Sequence, residues 1–182
     1  MRKIAVTAFL FTLLSGFAAA QIPTSGNVFF GYSYYNANVG GDRTSLNGWN
    51  GSVEGKFLPF IGVVADFGGY YGSQNFTTCT TPILDCVIIH NNFTEHNYLF
   101  GPRASFSIGK IRPFGEVLIG AGHIHINGGG SDTAFATAVG GGIDYKLVHL
   151  LYLRVAGDYI HTDLLNIPQN NVRISTGLAF HF

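Results

Sequence analysis

The stretch Asn171-Val172-Arg173-Ile174-Ser175-Thr176-Gly177-Leu178-Ala179-Phe180-His181-Phe182 decides the fold. Successive side chains of a β-strand point to opposite faces, so alternate residues of this stretch share a face. One face is small or polar, and the other is apolar, with Val172, Ile174, Thr176, Leu178, Phe180 and Phe182. An exposed apolar strand invites aggregation of a soluble protein. A closed barrel in lipid can instead pair its last strand with its first and turn the apolar face towards hydrocarbon.

The first twenty residues have the features of an export signal. Met1-Arg2-Lys3 is basic, residues 4–17 are mostly apolar and uncharged, and Ala18-Ala19-Ala20 supplies small residues before Gln21. This pattern predicts a Sec signal peptide over 1–20, cleaved after Ala20, and a barrel domain over 21–182. An N-terminal membrane anchor is the alternative, but the apolar run is short for a spanning helix.

The composition of residues 21–182 favours a membrane protein. This part of the chain has eight Lys and Arg residues against ten Asp and Glu, a balance that gives no reason to expect a nucleic-acid partner. The charged fraction of the whole chain, 11%, is low for a soluble domain, while hydrophobic residues reach 47%. Beyond residue 20, however, no uncharged apolar run approaches the ~20 residues that a spanning helix needs. Strands that alternate lipid-facing and lumen-facing residues resolve this conflict.

Eight segments with strand-like alternation follow the signal, and their lengths and spacing predict the topology. They are residues 27–36, 47–57, 61–73, 94–107, 112–126, 134–145, 150–162 and 171–182. The connections alternate between three or four residues and seven to twenty. Outer-membrane barrels have short periplasmic turns and long external loops. We therefore predict an all-β fold, an eight-stranded antiparallel transmembrane up-and-down β-barrel with both ends in the periplasm. A soluble lipocalin-like barrel, with an apolar lumen, is the alternative.

One irregularity is expected within the fourth segment. Pro102 has no N–H to donate to a neighbouring strand, so a β-bulge is predicted at this position.

Short motifs in these segments resemble those of small outer-membrane β-barrel domains. They are Tyr98-Leu-Phe-Gly-Pro-Arg-Ala-Ser-Phe106, Arg112-Pro-Phe-Gly115, Gly140-Gly-Gly-Ile-Asp-Tyr145 and Gly177-Leu-Ala-Phe-His-Phe182. Residues 21–182 are similar to the eight-stranded barrels of the OmpA/OmpX type. The resemblance implies a monomer in the outer membrane of a Gram-negative-type bacterium, in contact with outer-membrane lipids and lipopolysaccharide. It also implies that Leu178, Phe180 and Phe182 form a signal recognised by the barrel-assembly machinery during insertion.

Charged residues on the predicted inward face define a candidate site. They are Glu54, Lys56, Asp66, Arg103, Glu116, Asp144, Arg154, Asp158 and Arg173. Side chains just fill an eight-stranded barrel, and an isolated buried charge is costly, so these groups are expected to be paired. The turn centred between Gly109 and Lys110 places Arg103 opposite Glu116, with their Cβ atoms roughly 5 Å apart.

The expected result is a charge network that plugs the lumen. A layer of Glu54, Arg103, Glu116 and Arg154 forms it, and Asp158 belongs to the same network. The alternative is that these residues line a narrow channel.

Cys79 and Cys86 lie in the longest predicted loop, residues 74–93. An exported chain passes through an oxidising compartment, which predicts a disulfide between them. In the loop-entropy model so short a ring contributes roughly 2–3 kcal/mol. The disulfide either protects the loop from proteases or orders Pro82-Ile83-Leu84 and Val87-Ile88-Ile89 as a binding surface for a host or cell-surface partner.

The sequence predicts no catalytic residue, no metal site and no cofactor. His96, His123, His125 and His161 lie near strand ends, where scattered histidines serve more often as interfacial polar groups than as metal ligands. A lipid A deacylase needs a Ser nucleophile beside a His with an acidic partner, and His123-Ile124-His125 lacks the His-x-Ser arrangement. We predict a non-enzymatic envelope protein whose external loops serve binding or adhesion. The alternatives are a narrow porin-like channel for small solutes and a lipid A-modifying enzyme.

Overall fold

The computed structural model describes residues 25–39, 42–80, 85–127, 130–164 and 168–182. For residues 38, 39, 42, 74–80 and 85–91 it describes the backbone alone. The predicted signal peptide, residues 1–20, lies outside the described residues. Within these ranges no helix is long and apolar enough to cross a membrane.

The described residues form eight strands. These are β1 (Gly26–Val39), β2 (Asp42–Lys56), β3 (Ile61–Thr80), β4 (Asp85–Ser105), β5 (Ile111–Ile126), β6 (Gly130–Lys146), β7 (Leu151–Thr162) and β8 (Gln169–His181). Each strand pairs antiparallel with the next along the chain, and β8 pairs with β1. The β1–β8 ladder runs from Asn27 opposite His181 to Asn36 opposite Val172. The predicted fold, an eight-stranded antiparallel up-and-down transmembrane barrel, is confirmed.

The two faces of the wall are inverted relative to those of a soluble protein. In β8, the Arg173 and Ser175 side chains are 1% exposed, whereas Ile174 between them is 52% exposed. The same alternation in the other strands gives an outer surface of large apolar side chains, including Phe30, Phe100, Val117 and Val155. A belt of this kind suits contact with hydrocarbon, while the polar groups are held inside the barrel.

We name the two ends of the barrel by their connections. The turn end carries residues 57–60, 106–110 and 147–150, together with the start of β1 and the end of β8. The hairpin end carries the four other connections. At both ends aromatic side chains lie on the outer surface, for example Phe60 stacked on Phe106 at the turn end and Phe67 against Tyr98 nearer the hairpin end.

The prediction of long loops at the hairpin end is wrong. Residues 74–93 are mostly strand, because β3 continues to Thr80 and β4 begins at Asp85. The other three connections shorten to residues 40–41, 127–129 and 163–168. These polar segments lack the apolar alternation that lipid contact imposes. Their backbone groups are nevertheless satisfied by pairing within each hairpin.

The β3–β4 hairpin extends beyond the barrel wall. The ladder between β2 and β3 reaches Tyr71, and the ladder between β4 and β5 reaches Phe93. The β3–β4 ladder continues from Ser73 opposite Asn92 to Thr80 opposite Asp85. At about 3.3 Å per residue these eight rungs extend roughly 26 Å.

The predicted β-bulge at Pro102 is also wrong. The β3–β4 register passes through Val63 opposite Pro102 without a shift. The β4–β5 register is the same on both sides, with Phe100 opposite Ile119 and Arg103 opposite Glu116. Gly101 and Pro102 have no partner in that ladder, so the missing donor interrupts the pairing without inserting a residue.

Candidate functional site

The lumen near the turn end is occupied by a charged layer centred on Arg103. Arg103 and Glu116 are register partners, and Nη2 of Arg103 lies 2.6 Å from Oε2 of Glu116. Nη1 of Arg103 lies 3.2 Å from Oε2 of Glu54 on the far side of β3. All three side chains are buried. One guanidinium therefore holds two carboxylates from different parts of the wall.

Arg154 joins this layer through a different carboxylate from the one expected. It forms a bidentate pair with its register partner Asp144, at 2.6 Å from Nε and 2.8 Å from Nη2. Its link to Glu54 is indirect: Nη2 donates to Oδ1 of Asn27 at 3.0 Å, and Nδ2 of Asn27 donates to Glu54 at 2.5 Å. The ring of Phe114 lies between the two guanidinium groups, 4.5 Å from Arg103 and 4.7 Å from Arg154.

Asp158 belongs to a second layer, centred on Arg173. Nε of Arg173 lies 2.8 Å from Asp158, and Nη1 lies 2.6 Å from Asp66. Nη1 also donates to the Tyr70 hydroxyl at 3.2 Å, and Asn50 donates to Asp66 at 3.0 Å. A cavity of about 10 Å³ separates this layer from the Arg103 layer. That volume is about enough for one water molecule.

An apolar cluster also fills the lumen, and its members lie beside the charged layers as well as nearer the hairpin end. Among its members are six buried side chains from six different strands, Leu46, Val64, Leu99, Leu118, Ala138 and Ile160. Beyond it, Phe93, Ile124 and Leu164 pack together. The two charged layers and these apolar groups together occupy the described part of the lumen.

Glu95 is a buried carboxyl group outside the charged layers. Tyr35 donates to it at 2.8 Å, and Asn171 donates to the Tyr35 hydroxyl at 2.7 Å. The Tyr35 ring stacks on Tyr70 at 4.3 Å, which brings this cluster next to the Arg173 layer. None of the ion pairs among the described residues includes Glu95.

Sequence reasoning placed Glu54, Arg103, Glu116, Arg154 and Asp158 inside the barrel, and all five side chains are buried. It assigned no role to Glu95, Arg112 or His181. Their spacing could have identified them as inward-facing. Each lies an even number of residues from an inward residue of its own strand, and such residues share a face.

The histidines near the hairpin end make separate contacts. Nδ1 of His123 lies 2.7 Å from the Thr133 hydroxyl, and Nδ1 of His161 lies 2.7 Å from Oδ1 of Asn170. His96 is the register partner of His123 and stacks against Tyr98. In the described parts of the chain, no three His, Cys, Asp or Glu side chains gather in a group that could hold a metal ion.

The remaining predicted residues lie on the outer surface or beyond the described side chains. Leu178, Phe180 and Phe182 point outwards, each about half exposed. Cys79 and Cys86 are register partners in the β3–β4 ladder. Their side chains are outside the part of the chain that the structure describes.

Comparison with solved structures finds proteins of the same fold. The crystal structure of Ail, the attachment invasion locus protein of Yersinia pestis, in complex with the heparin analogue sucrose octasulfate, is 17% identical, with a TM-score of 0.58 over 87% of this chain and 98% of that chain. Neisserial surface protein A (NspA) is 13% identical, with a TM-score of 0.65 over 86% and 97%. The outer membrane protease OmpT from Escherichia coli is 9% identical, with a TM-score of 0.51 over 88% and 97%.

These likenesses show that the chain has the fold of the small outer-membrane β-barrels, the class that its sequence motifs resemble. At such identities the likeness concerns the fold alone. No protein-family model matches the chain, and no curated protein matches its sequence.

Proposed function

We propose that this protein is an outer-membrane barrel with a closed lumen and a structural role in the cell envelope, and that its hairpin end binds a partner outside the cell. The observation that carries the closed lumen is that two arginine-centred layers and a cluster of buried apolar side chains fill the interior together. Each guanidinium holds carboxylates from different parts of the wall. An eight-stranded barrel is narrow enough for such layers to fill it.

The proposed orientation follows from the connections. Outer-membrane barrels place short turns and both ends of the barrel in the periplasm. The turn end then faces the periplasm, and the β3–β4 hairpin projects outside the cell. In this setting the outer belt contacts outer-membrane lipids and lipopolysaccharide, the predicted signal peptide directs export, and Leu178, Phe180 and Phe182 are recognised during assembly. We propose that the barrel acts as a monomer.

Single-channel recording in planar bilayers tests the closed lumen. We expect the wild-type barrel to be silent, and Arg103→Ala combined with Arg173→Ala to leak, because the double change removes the centre of both charged layers. Arg43→Ala is the matched control, since Arg43 lies on an exposed position near the hairpin end. Insertion is verified by the difference in gel mobility between heated and unheated samples. Steady conductance of the wild type would refute the closed lumen and support the narrow channel.

The hairpin end favours a partner that is not a polyanion. Asp42, Asp85, Asp132 and Asp163 lie at or next to strand ends there, and Arg43 is the one Lys or Arg that the sequence places near those ends. Such an acidic end repels sulfated sugars of the kind bound by Ail. The hairpin sequence Val87-Ile88-Ile89 suggests apolar contact instead. We expect no retention on a heparin column at physiological salt, and retention would contradict this part of the proposal.

The proposed role includes no catalytic step. The absence of a His-x-Ser arrangement around His123 supports it, but OmpT shows that the fold also carries a protease. Lipid mass spectrometry of a strain lacking the protein, compared with its parent, tests the lipid A-modifying alternative. A changed lipid A acylation pattern, restored by the wild-type gene, would support an enzyme.

A further inference from the structure

The mouth of the lumen at the turn end is rich in cations. Lys56, Arg112 and Lys146 lie at strand ends there, and Lys110 lies in the adjoining turn. The three turns, residues 57–60, 106–110 and 147–150, contain no Asp or Glu. The inward carboxylates nearest to this mouth along the strands, Glu54 and Asp144, are engaged by Arg103 and Arg154. This end of the barrel therefore carries an excess of positive charge.

Two of these cations converge on one serine. Nζ of Lys56 lies 2.8 Å from Oγ of Ser105, and Nη2 of Arg112 lies 3.3 Å from the same oxygen. The two nitrogens are thus no more than about 6 Å apart, a distance at which like charges repel. Neither cation forms an ion pair with a carboxylate among the described residues. Ser105 is 4% exposed, whereas Lys56 and Arg112 are half-buried.

The Ser105 hydroxyl is a third hydrogen-bond donor in this cluster. Lysine and arginine only donate, so the Ser105 oxygen accepts both bonds. Its own hydroxyl proton remains available for an acceptor. The cluster then offers two charged donors and one neutral donor around a partly exposed position at the mouth.

His181 positions Arg112 without neutralising it. Nη1 of Arg112 lies 2.8 Å from Nδ1 of His181, and because the guanidinium can only donate, Nδ1 accepts and carries no proton. Nε2 of His181, 3.0 Å from Asp144, is therefore the protonated nitrogen. The Tyr152 ring packs against the imidazole, with ring centres 4.2 Å apart. Arg112 is held by a neutral partner and forms none of the described ion pairs, because the carboxylate of its register partner Asp144 is engaged by Arg154 and His181.

We propose that Lys56, Ser105 and Arg112 form a binding site for a phosphate-class oxyanion, with Lys110 and Lys146 adding long-range attraction. A phosphate group carries enough oxygens to accept from all three donors, and its negative charge relieves the repulsion between the two cations. The source is either a soluble phosphate compound or the headgroup of a phospholipid. The location of this mouth in the periplasm rests on the proposed function, whereas the site itself does not.

Isothermal titration of inorganic phosphate tests the site in the refolded full barrel, in phosphatidylcholine nanodiscs at constant ionic strength. We expect saturable binding of one phosphate per barrel. Lys56→Met and Arg112→Met should each weaken it about tenfold or more, since each removes a hydrogen bond from a charged donor. Ser105→Ala, which keeps every charge, should also weaken it. Lys110→Met removes the same charge from the same rim but lies outside the cluster, so binding should weaken by no more than about threefold.

Either of two results would overturn the site. The first is the absence of saturable phosphate binding by the wild type. The second is an equal loss of phosphate affinity in Lys110→Met and Lys56→Met, which would show that phosphate responds only to the general positive charge of the rim. Heat-dependent gel mobility verifies folding of every variant. If the Arg112 variant does not fold, phosphate binding by Ser105→Ala tests the site instead.

Phosphatidylglycerol nanodiscs distinguish the two sources. If the headgroup of an anionic phospholipid occupies the site, inorganic phosphate should bind the wild type at least tenfold more weakly in these discs than in discs of zwitterionic phosphatidylcholine. Unchanged affinity identifies a soluble phosphate compound. Neither result depends on whether the lumen conducts. The phosphate site and the closed lumen are therefore tested independently.

Discussion

Arg173 contacts Asp66 across the lumen, with Nη1 of the guanidinium 2.6 Å from Oδ1 of the carboxylate. Their strands, β8 and β3, are separated along the wall by β1 and β2, so the contact spans the barrel interior. The same guanidinium binds Asp158 on the adjacent strand β7. A single buried cation thus ties opposite sides of the wall together.

Arg173→Met should lower the free energy of unfolding by about 3–5 kcal/mol, because it leaves the buried carboxylates Asp66 and Asp158 without their cation. Urea unfolding of the refolded barrel in lipid vesicles measures the change. Asp66→Asn and Asp158→Asn added to Arg173→Met should restore most of the stability, since no buried charge of the layer then remains. A loss below about 1 kcal/mol in the single variant would contradict the assigned role.

Asp144 and Glu95 are both buried, but their substitution should change the free energy of unfolding by very different amounts. Asp144 is the carboxylate partner of Arg154, so Asp144→Asn should cost about 3–5 kcal/mol by leaving a buried guanidinium unpaired. Glu95 contacts the Tyr35 hydroxyl and forms none of the described ion pairs, so Glu95→Gln should change stability by no more than about 1 kcal/mol. The same urea titration compares them, and equal losses would show that burial, instead of ion pairing, sets the cost.

Most of the correct predictions of strands and lumen residues follow from the alternation of apolar and polar residues along each strand. Within lipid, each outward position must be apolar, so strands such as β8 are marked clearly in the sequence. The same parity placed Glu54, Arg103 and Arg173 in the lumen, and the short turn at Gly109 fixed Arg103 opposite Glu116. Local rules therefore specify the wall and the pairs formed between neighbouring strands.

Contacts across the lumen could not be predicted in the same way. The sequence predicts Arg154 and Glu54 in one layer, yet Arg154 binds Asp144 directly and reaches Glu54 through Asn27. Which side chains meet across a barrel depends on its stagger and on side-chain length, and neither is visible in one strand. The β3–β4 extension was missed because polar strands outside the lipid need no apolar face.

The register of β3 and β4 supports a testable prediction for the cysteines. Directly opposed residues of an antiparallel pair have Cα atoms roughly 4.5–5.5 Å apart, which lies within the range that a disulfide requires. We expect protein isolated without reductant to contain no titratable thiol and to show the intact mass of the oxidised form. Reduction should increase proteolysis within the hairpin and leave urea unfolding of the barrel unchanged, because these rungs extend beyond the wall. Cys79→Ser with Cys86→Ser should reproduce the reduced protein. Two free thiols in the isolated protein would contradict the prediction.

Two glycines on neighbouring strands provide a test of how tightly the Arg173 layer is packed. A methyl group at Gly140 would collide with Oδ1 of Asp158 and displace it from Arg173. Gly115, on the neighbouring strand β5, faces outwards, and the nearest atom to an added methyl group is 3.8 Å away. Gly140→Ala should therefore cost about 1–3 kcal/mol, as overpacking of a filled interior does. Gly115→Ala should stay within about 0.5 kcal/mol. Urea unfolding in vesicles measures both variants, and tolerance of Gly140→Ala would mean that the Asp158 carboxylate has room to move without breaking the layer.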